Sequence, residues 1–145
     1  MEFNQLVFDK LGLIFQKQNL HVTEQFKNYV KFKSNCVVIT LNHNELENSN
    51  AFYVGGNEDF LYPVNENVLR NVFNSNLKIT DLNKETFVNN LAIFFEQEGR
   101  TLIAGNTYAL EAVETYVYKK GEAYTMQLIN KQNLLAADKA WEEEN

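Results

Sequence analysis

The sequence predicts an α+β domain: a small antiparallel sheet of three to four strands, packed against an N-terminal helix and a helical C-terminal half that ends in a long helix. Three observations lead there. Apolar residues recur at three- and four-residue steps over 3–18 and again beyond 84, the helical period. Between them, residues 28–56 alternate with the period-two pattern of strands. One proline and six scattered glycines leave no room for a flexible linker, so residues 1–145 read as one domain. A chain of this size buries roughly 68–70% of its unfolded surface, enough for a core without disulfides.

The first helix carries Phe3, Leu6, Val7, Leu11, Ile14 and Phe15 on one stripe. Gly12 lies inside it at a cost of about 1 kcal/mol relative to alanine, which close packing against a neighbour would explain. In "NYVKFK", residues 28–33, Tyr29, Lys31 and Lys33 face one way and Val30 and Phe32 the other. Ser34-Asn35 suits a two-residue turn. Cys36–Leu41 is a second strand, "NHNELENSN" (42–50) a polar connection, and "AFYVGG" (51–56) a third strand that Gly55-Gly56 end. A short helix over 65–73 places Val68, Leu69, Val72 and Phe73 inward, with Asn65 as its cap. "LKIT" at 77–80 is an edge strand or a connector.

A stronger helix starts near Lys84, capped by Asp81 or Asn83, with Phe87, Val88, Leu91, Ala92, Phe94 and Phe95 as its apolar stripe. It ends near Gly99 or runs on to Gly105, where Gly105-Asn106 reads as a stop and a new cap. From Thr107 to about Glu143 the pattern is helical, with Leu110, Val113, Val117, Gly121, Tyr124, Leu128 and Leu135 in one quadrant. Unbroken, that helix would be about 55 Å long. It therefore breaks near Gly121 or Asn133, or its end projects toward a partner.

The charge bounds the partners. Thirteen basic against 19 acidic residues leave a net charge of -6, which repels nucleic acid and anionic membranes and favours a basic protein. The densest basic group, Lys27, Lys31 and Lys33, reads as a solvated face. Lysine outnumbers arginine 11 to 2, the imprint of an AT-rich bacterial genome. No secretion signal and no membrane-spanning run is visible, so a cytoplasmic location is expected.

Candidate chemistry is sparse. His43 lies beside Glu45 and Glu47, either of which could orient it as a general base. The asparagines around it favour a solvated turn instead, in which His43→Ala would change stability by less than about 0.5 kcal/mol. Cys36 in an apolar strand reads as a buried, inert thiol. One cysteine and two histidines cannot fill a structural zinc site. "GGNEDF" lacks the Lys-Ser/Thr of a phosphate loop, and pairs such as Glu45/Glu47 or Glu58/Asp59 are too few for a calcium loop. No catalytic residue, metal or cofactor is expected.

The aromatic residues carry more. Tyr53, Tyr62, Tyr116, Tyr118 and Trp141 do not all fit the apolar stripes, and tyrosine and tryptophan are enriched among interface anchors. The ending "DKAWEEEN" sets Trp141 beside Glu142, Glu143 and Glu144. The expected partner-binding residues are Tyr53, Tyr62, Glu45, Glu47, Trp141, Glu142, Glu143 and Glu144. In layout, "YVKFKSNCVVITL", "AFYVGG" and "LAIFFEQEGRTLIAGNTYALEAV" resemble small bacterial α+β immunity proteins of toxin–immunity systems, over residues 3 to 120. That resemblance implies a non-catalytic protein that binds one cognate toxin. The alternatives are a self-assembling structural or adaptor protein, a homodimer through its C-terminal helix, and a small ligand-binding or enzymatic domain.

Overall fold

Phe3, Leu6, Val7, Leu11 and Phe15 form one fully covered stripe of helix α1 (Phe3–Gln16). Asn19, at φ 61°, turns the chain out of it, and Leu20 N–H closes on the Phe15 carbonyl at 3.0 Å. The computed structural model describes residues 1–119. After α1 the chain runs through β1 (His21–Phe26), β2 (Tyr29–Lys33), β3 (Val38–Asn44), β4 (Ser49–Gly55) and β5 (Tyr62–Pro63). Helices α2 (Glu66–Phe73), α3 (Lys84–Glu96), α4 (Arg100–Ile103) and α5 (Thr107–Lys119) follow. The expected helix beyond residue 119, with Trp141 and Glu142–Glu144, lies outside the described residues.

The strands form one antiparallel meander in the order β1-β2-β3-β4-β5, so each strand pairs with its neighbour in sequence. Among the described residues the sheet thus has five strands, more than expected. The additional ones are the edges. β1, "HVTEQF", is largely exposed and carries an irregularity between Val22 and Glu24; β5 is two residues long. The central pairing matches expectation, with Phe32 opposite Ile39 and Leu41 opposite Phe52.

One face of the sheet, with Val30, Phe32, Ile39, Leu41, Phe52 and Val54, is buried under α1 and α3. Phe15 meets Phe32 at 4.6 Å and Phe95 at 5.0 Å, both edge to face, and Phe95 meets Phe52 at 5.4 Å. Val37, Phe87 and Leu91 join the same core, so helices from both ends of the sequence cover the apolar face.

The helix ends follow local chemistry. Asn65 Oδ1 accepts from Val68 N–H at 3.1 Å and Asn83 Oδ1 from Thr86 N–H at 2.8 Å, the N-caps of α2 and α3. Asn106 Oδ1 accepts from Tyr108 and Ala109 N–H at 2.9 and 3.1 Å, opening α5. α3 stops at Glu96 rather than running on to Gly105; α4 is a separate turn. "LKIT" is a connector with no strand pairing.

Three local expectations are corrected. The second paired strand begins at Val38, because Ser34 N–H closes a turn on the Val37 carbonyl at 2.9 Å. Cys36 sits in that turn and is exposed, not buried. Gly12 is not there for packing, since a Cβ built on it meets nothing within 4 Å. Gly55 is the opposite case: a Cβ there would run into the Phe60 carbonyl.

The two glycines give a prediction of opposite signs. Gly12→Ala should raise the unfolding free energy by about 0.5–1 kcal/mol through helix propensity. Gly55→Ala should lower it by about 1–3 kcal/mol, because the 55–60 turn must open. Urea unfolding of both variants checks this; a Gly12→Ala protein weaker than the parent contradicts it.

Candidate partner-binding surface

β3 keeps its alternation two residues longer than its polar sequence suggests. Ile39, Leu41 and His43 succeed each other on the apolar face, and His43 pairs with Asn50 across to β4. The connection shrinks to 45–48, with Asn48 at φ 49°. His43 is therefore not in a solvated turn but 5% exposed, stacked on Phe3 at 5.8 Å. Its Nδ1 lies 2.7 Å from Asn50 Oδ1, and Asn50 Nδ2 donates to the Leu82 carbonyl at 2.8 Å. A carbonyl only accepts, so the Asn50 amide is oriented with its oxygen toward the ring and Nδ1–H is the donor. The chain His43–Asn50–Leu82 ties the sheet to the segment before α3. Glu45 does not orient His43. Its carboxylate pairs with Lys27 at 3.2 Å and accepts from Asn28 Nδ2 at 3.1 Å. Glu47 is exposed beside Ser49.

The second face of the sheet is also covered, and it mixes a small apolar cluster of Val38, Leu61 and Tyr53 with polar residues. Lys31, expected in solvent, is 1% exposed and pairs with Glu24 of β1 and with Glu58 at 2.7 Å. Lys33 adds a longer contact to Glu58, 3.8 Å. Thr40, opposite Lys31, is equally buried. Tyr53 lies half-buried next in that row, and burial raises its hydroxyl above the ordinary tyrosine value. A cleft of about 270 Å³ opens beside Tyr53, between β4, Asn65 and the 79–81 segment.

Among the described residues, α5 carries two glutamates with no lysine or arginine partner, Glu111 and Glu114. At about 100° per residue, Tyr108, Glu111, Glu114, Thr115 and Tyr118 fall within roughly 120° of arc, opposite the buried Val113 and Val117. Tyr108 is 82% exposed and Tyr118 55%. The ring of Tyr118 packs on that of Tyr62 at 6.0 Å, with the planes tilted 58°. Tyr62 itself is buried. Its hydroxyl is pushed up to about 12 by burial, by the bond to Tyr118 and by the charge of Glu114. Burial and the neighbouring Glu111 in turn raise Glu114 above the usual carboxylate range. The 56–61 turn flanks this strip, because a Cβ on Gly56 would touch Leu110 Cδ2 of α5 at 3.2 Å. The turn exposes Asp59 and the 47% accessible Phe60.

Of the sequence-derived candidates, Tyr62 is buried and lies behind this surface, against the ring of Tyr118. Tyr53 stands on the sheet's second face, and Glu45 and Glu47 lie at the β3–β4 turn. Patterning missed Glu111, Glu114, Tyr108 and Phe60. The signal was the complement of the Val113–Val117 stripe, since residues opposite a buried stripe face out. Among the described residues no three His, Cys, Asp or Glu side chains converge to hold a metal, and no helix is long and apolar enough to cross a membrane. The chain matches no protein-family model, no curated protein and no solved structure.

Two predictions follow from these placements. His43→Ala removes a buried ring and leaves Asn50 Oδ1 unsatisfied, so it should cost about 1–3 kcal/mol in chemical denaturation; a loss under 0.5 would return His43 to the turn. Tyr62 binds its proton more tightly folded than unfolded. Its contribution to stability is therefore complete below the unfolded value near 10 and is lost as pH rises toward about 12. A melt series from pH 8 to 12 should show that decline, and Tyr62→Phe should flatten it.

Proposed function

We propose that this chain is a non-catalytic protein-binding domain of the immunity kind, which neutralises a cognate basic toxin by covering part of its surface. The observation that carries this reading is the outer strip of α5, where the exposed Tyr108 and Tyr118 share a helix face with Glu111 and Glu114, together with the turn that meets α5 at Leu110 and exposes Asp59 and Phe60. Tyrosine and phenylalanine supply contact area at low entropic cost, and uncompensated carboxylates steer a basic partner into place. The net charge of -6 adds a long-range attraction in the same direction. The layout resembles small bacterial immunity proteins, and that resemblance implies a non-catalytic protein that binds one cognate toxin.

The test is binding and rescue. A basic toxin encoded beside this chain should form a complex with it and lose its toxicity. Replacing Glu111 and Glu114 by Gln should slow association several-fold and flatten its salt dependence, with a smaller effect on dissociation. Absence of both binding and rescue, together with turnover of any substrate by this chain alone, would overturn the reading.

A further inference from the structure

Several acidic side chains of the fold already have partners. Glu58 and Glu24 hold Lys31, Glu45 holds Lys27, and Glu66 accepts from the N–H groups of Ile79 and Thr80 at 3.0 and 3.2 Å. Glu111 and Glu114 pair with no lysine or arginine among the described residues, though they stand one helical turn apart on the same side of α5. Beside them is Tyr118, more than half exposed, with the ring of the buried Tyr62 packed against its own at 6.0 Å. A buried ring thus backs an outward-facing one.

We propose that Tyr118, Glu111 and Glu114 form a seat for a single arginine side chain of the partner. This deepens the protein-binding reading and rests on it. A guanidinium is planar, always charged and weakly hydrated. It lies flat on an aromatic face while its edge N–H groups reach carboxylates, an arrangement an ammonium cannot reproduce. The spacing suits it: Glu114 precedes Tyr118 by four residues and Glu111 by seven, so both carboxylates flank the ring along one helix face. Because Tyr62 holds Tyr118, little side-chain freedom is lost on binding. Burial and then the charge of Glu111 raise Glu114, and a cation arriving between the two relieves the second of these. Charge complementarity therefore selects a basic partner, and the aromatic ring selects arginine over lysine within it.

The experiment titrates the full chain with nona-arginine and nona-lysine peptides, following backbone amide shifts by NMR. Nona-arginine should move the signals of Glu111, Glu114, Tyr118 and Tyr62 together and saturate. Nona-lysine should bind the same place several-fold more weakly. Tyr118→Ala should weaken nona-arginine about fivefold, the scale of one exposed cation–ring contact, and so abolish the preference. Tyr118→Phe keeps the ring and should retain the preference, which separates loss of the seat from disturbance of α5. Gln at both 111 and 114 should weaken both peptides. Equal binding of the two peptides, shifts spread over Glu85, Glu96 and Glu98, or indifference to Tyr118→Ala would overturn the seat. Those results leave the broader reading standing if the toxin is still captured. Conversely, an arginine seat with no toxin capture would sink that reading and keep the seat.

Discussion

The fold depends on one aromatic junction. Phe15 of α1 and Phe95 of α3 are 80 residues apart in sequence and meet at 5.0 Å, wedged against Phe32 of β2 and Phe52 of β4. Each pair is edge to face, the geometry in which the positive rim of one ring meets the negative face of the next. Because this junction holds α1 and α3 on one side of the meander, the remaining elements are directed. Gly99 lets the chain turn against the Phe94 ring, and Gly105, at φ 78°, brings α5 in with a built Cβ only 2.6 Å from that of Cys36. The exposed face of α5 is thus a late consequence of where two phenylalanines meet.

Covering one face with aromatic carbon leaves the other to carry charge. Lys31 is out of water, and it is tolerable there because Glu24 and Glu58 supply opposite charge from the edge strand and from the following turn. A buried ion pair of this kind is weak evidence of stability, since desolvation offsets attraction. What it does provide is register: Glu24 reaches Lys31 only if β1 pairs as it does, past the irregularity after Val22.

Much of this was legible in the sequence, and the limits have physical causes. The helices over 3–16, 66–73 and 84–96, with caps at Asn65 and Asn83, follow from periodicity and side-chain oxygen chemistry. The central strands follow from alternation. β1 escaped because an edge strand packs few side chains, so "HVTEQF" carries little apolar signal. His43 was misread because the asparagines around it are turn formers. Yet asparagine also enters strands and the left-handed region, as Asn42 and Asn44 do in β3 and Asn19, Asn48 and Asn74 do at positive φ. Ile39–Leu41–His43 was the better signal, since a period of two outlasts local composition. Lys31 was misread because period two says which residues share a face and not whether that face is wet. The surface on α5 was only half legible: exposed tyrosines stand out from a stripe, but unpaired glutamates are recognised only when the lysines are seen to be elsewhere.

The edges of the sheet decide how such a domain can meet another protein. An open strand edge invites backbone pairing with any extended chain, which is indiscriminate and prone to aggregation. Here β1 is interrupted after Val22 and carries the charged Glu24, while at the other edge β5 is two residues long and ends in Pro63, which has no N–H to offer. Backbone recognition is thereby disfavoured at both ends of the meander. Under the proposed reading, recognition falls instead to side chains on the face of α5 opposite its buried Val113 and Val117. Tyr108 and Glu111 there are exposed, whereas Tyr118 is tied to the core through Tyr62, so the strip joins freely variable positions to one that the Phe15–Phe95 fold holds in place.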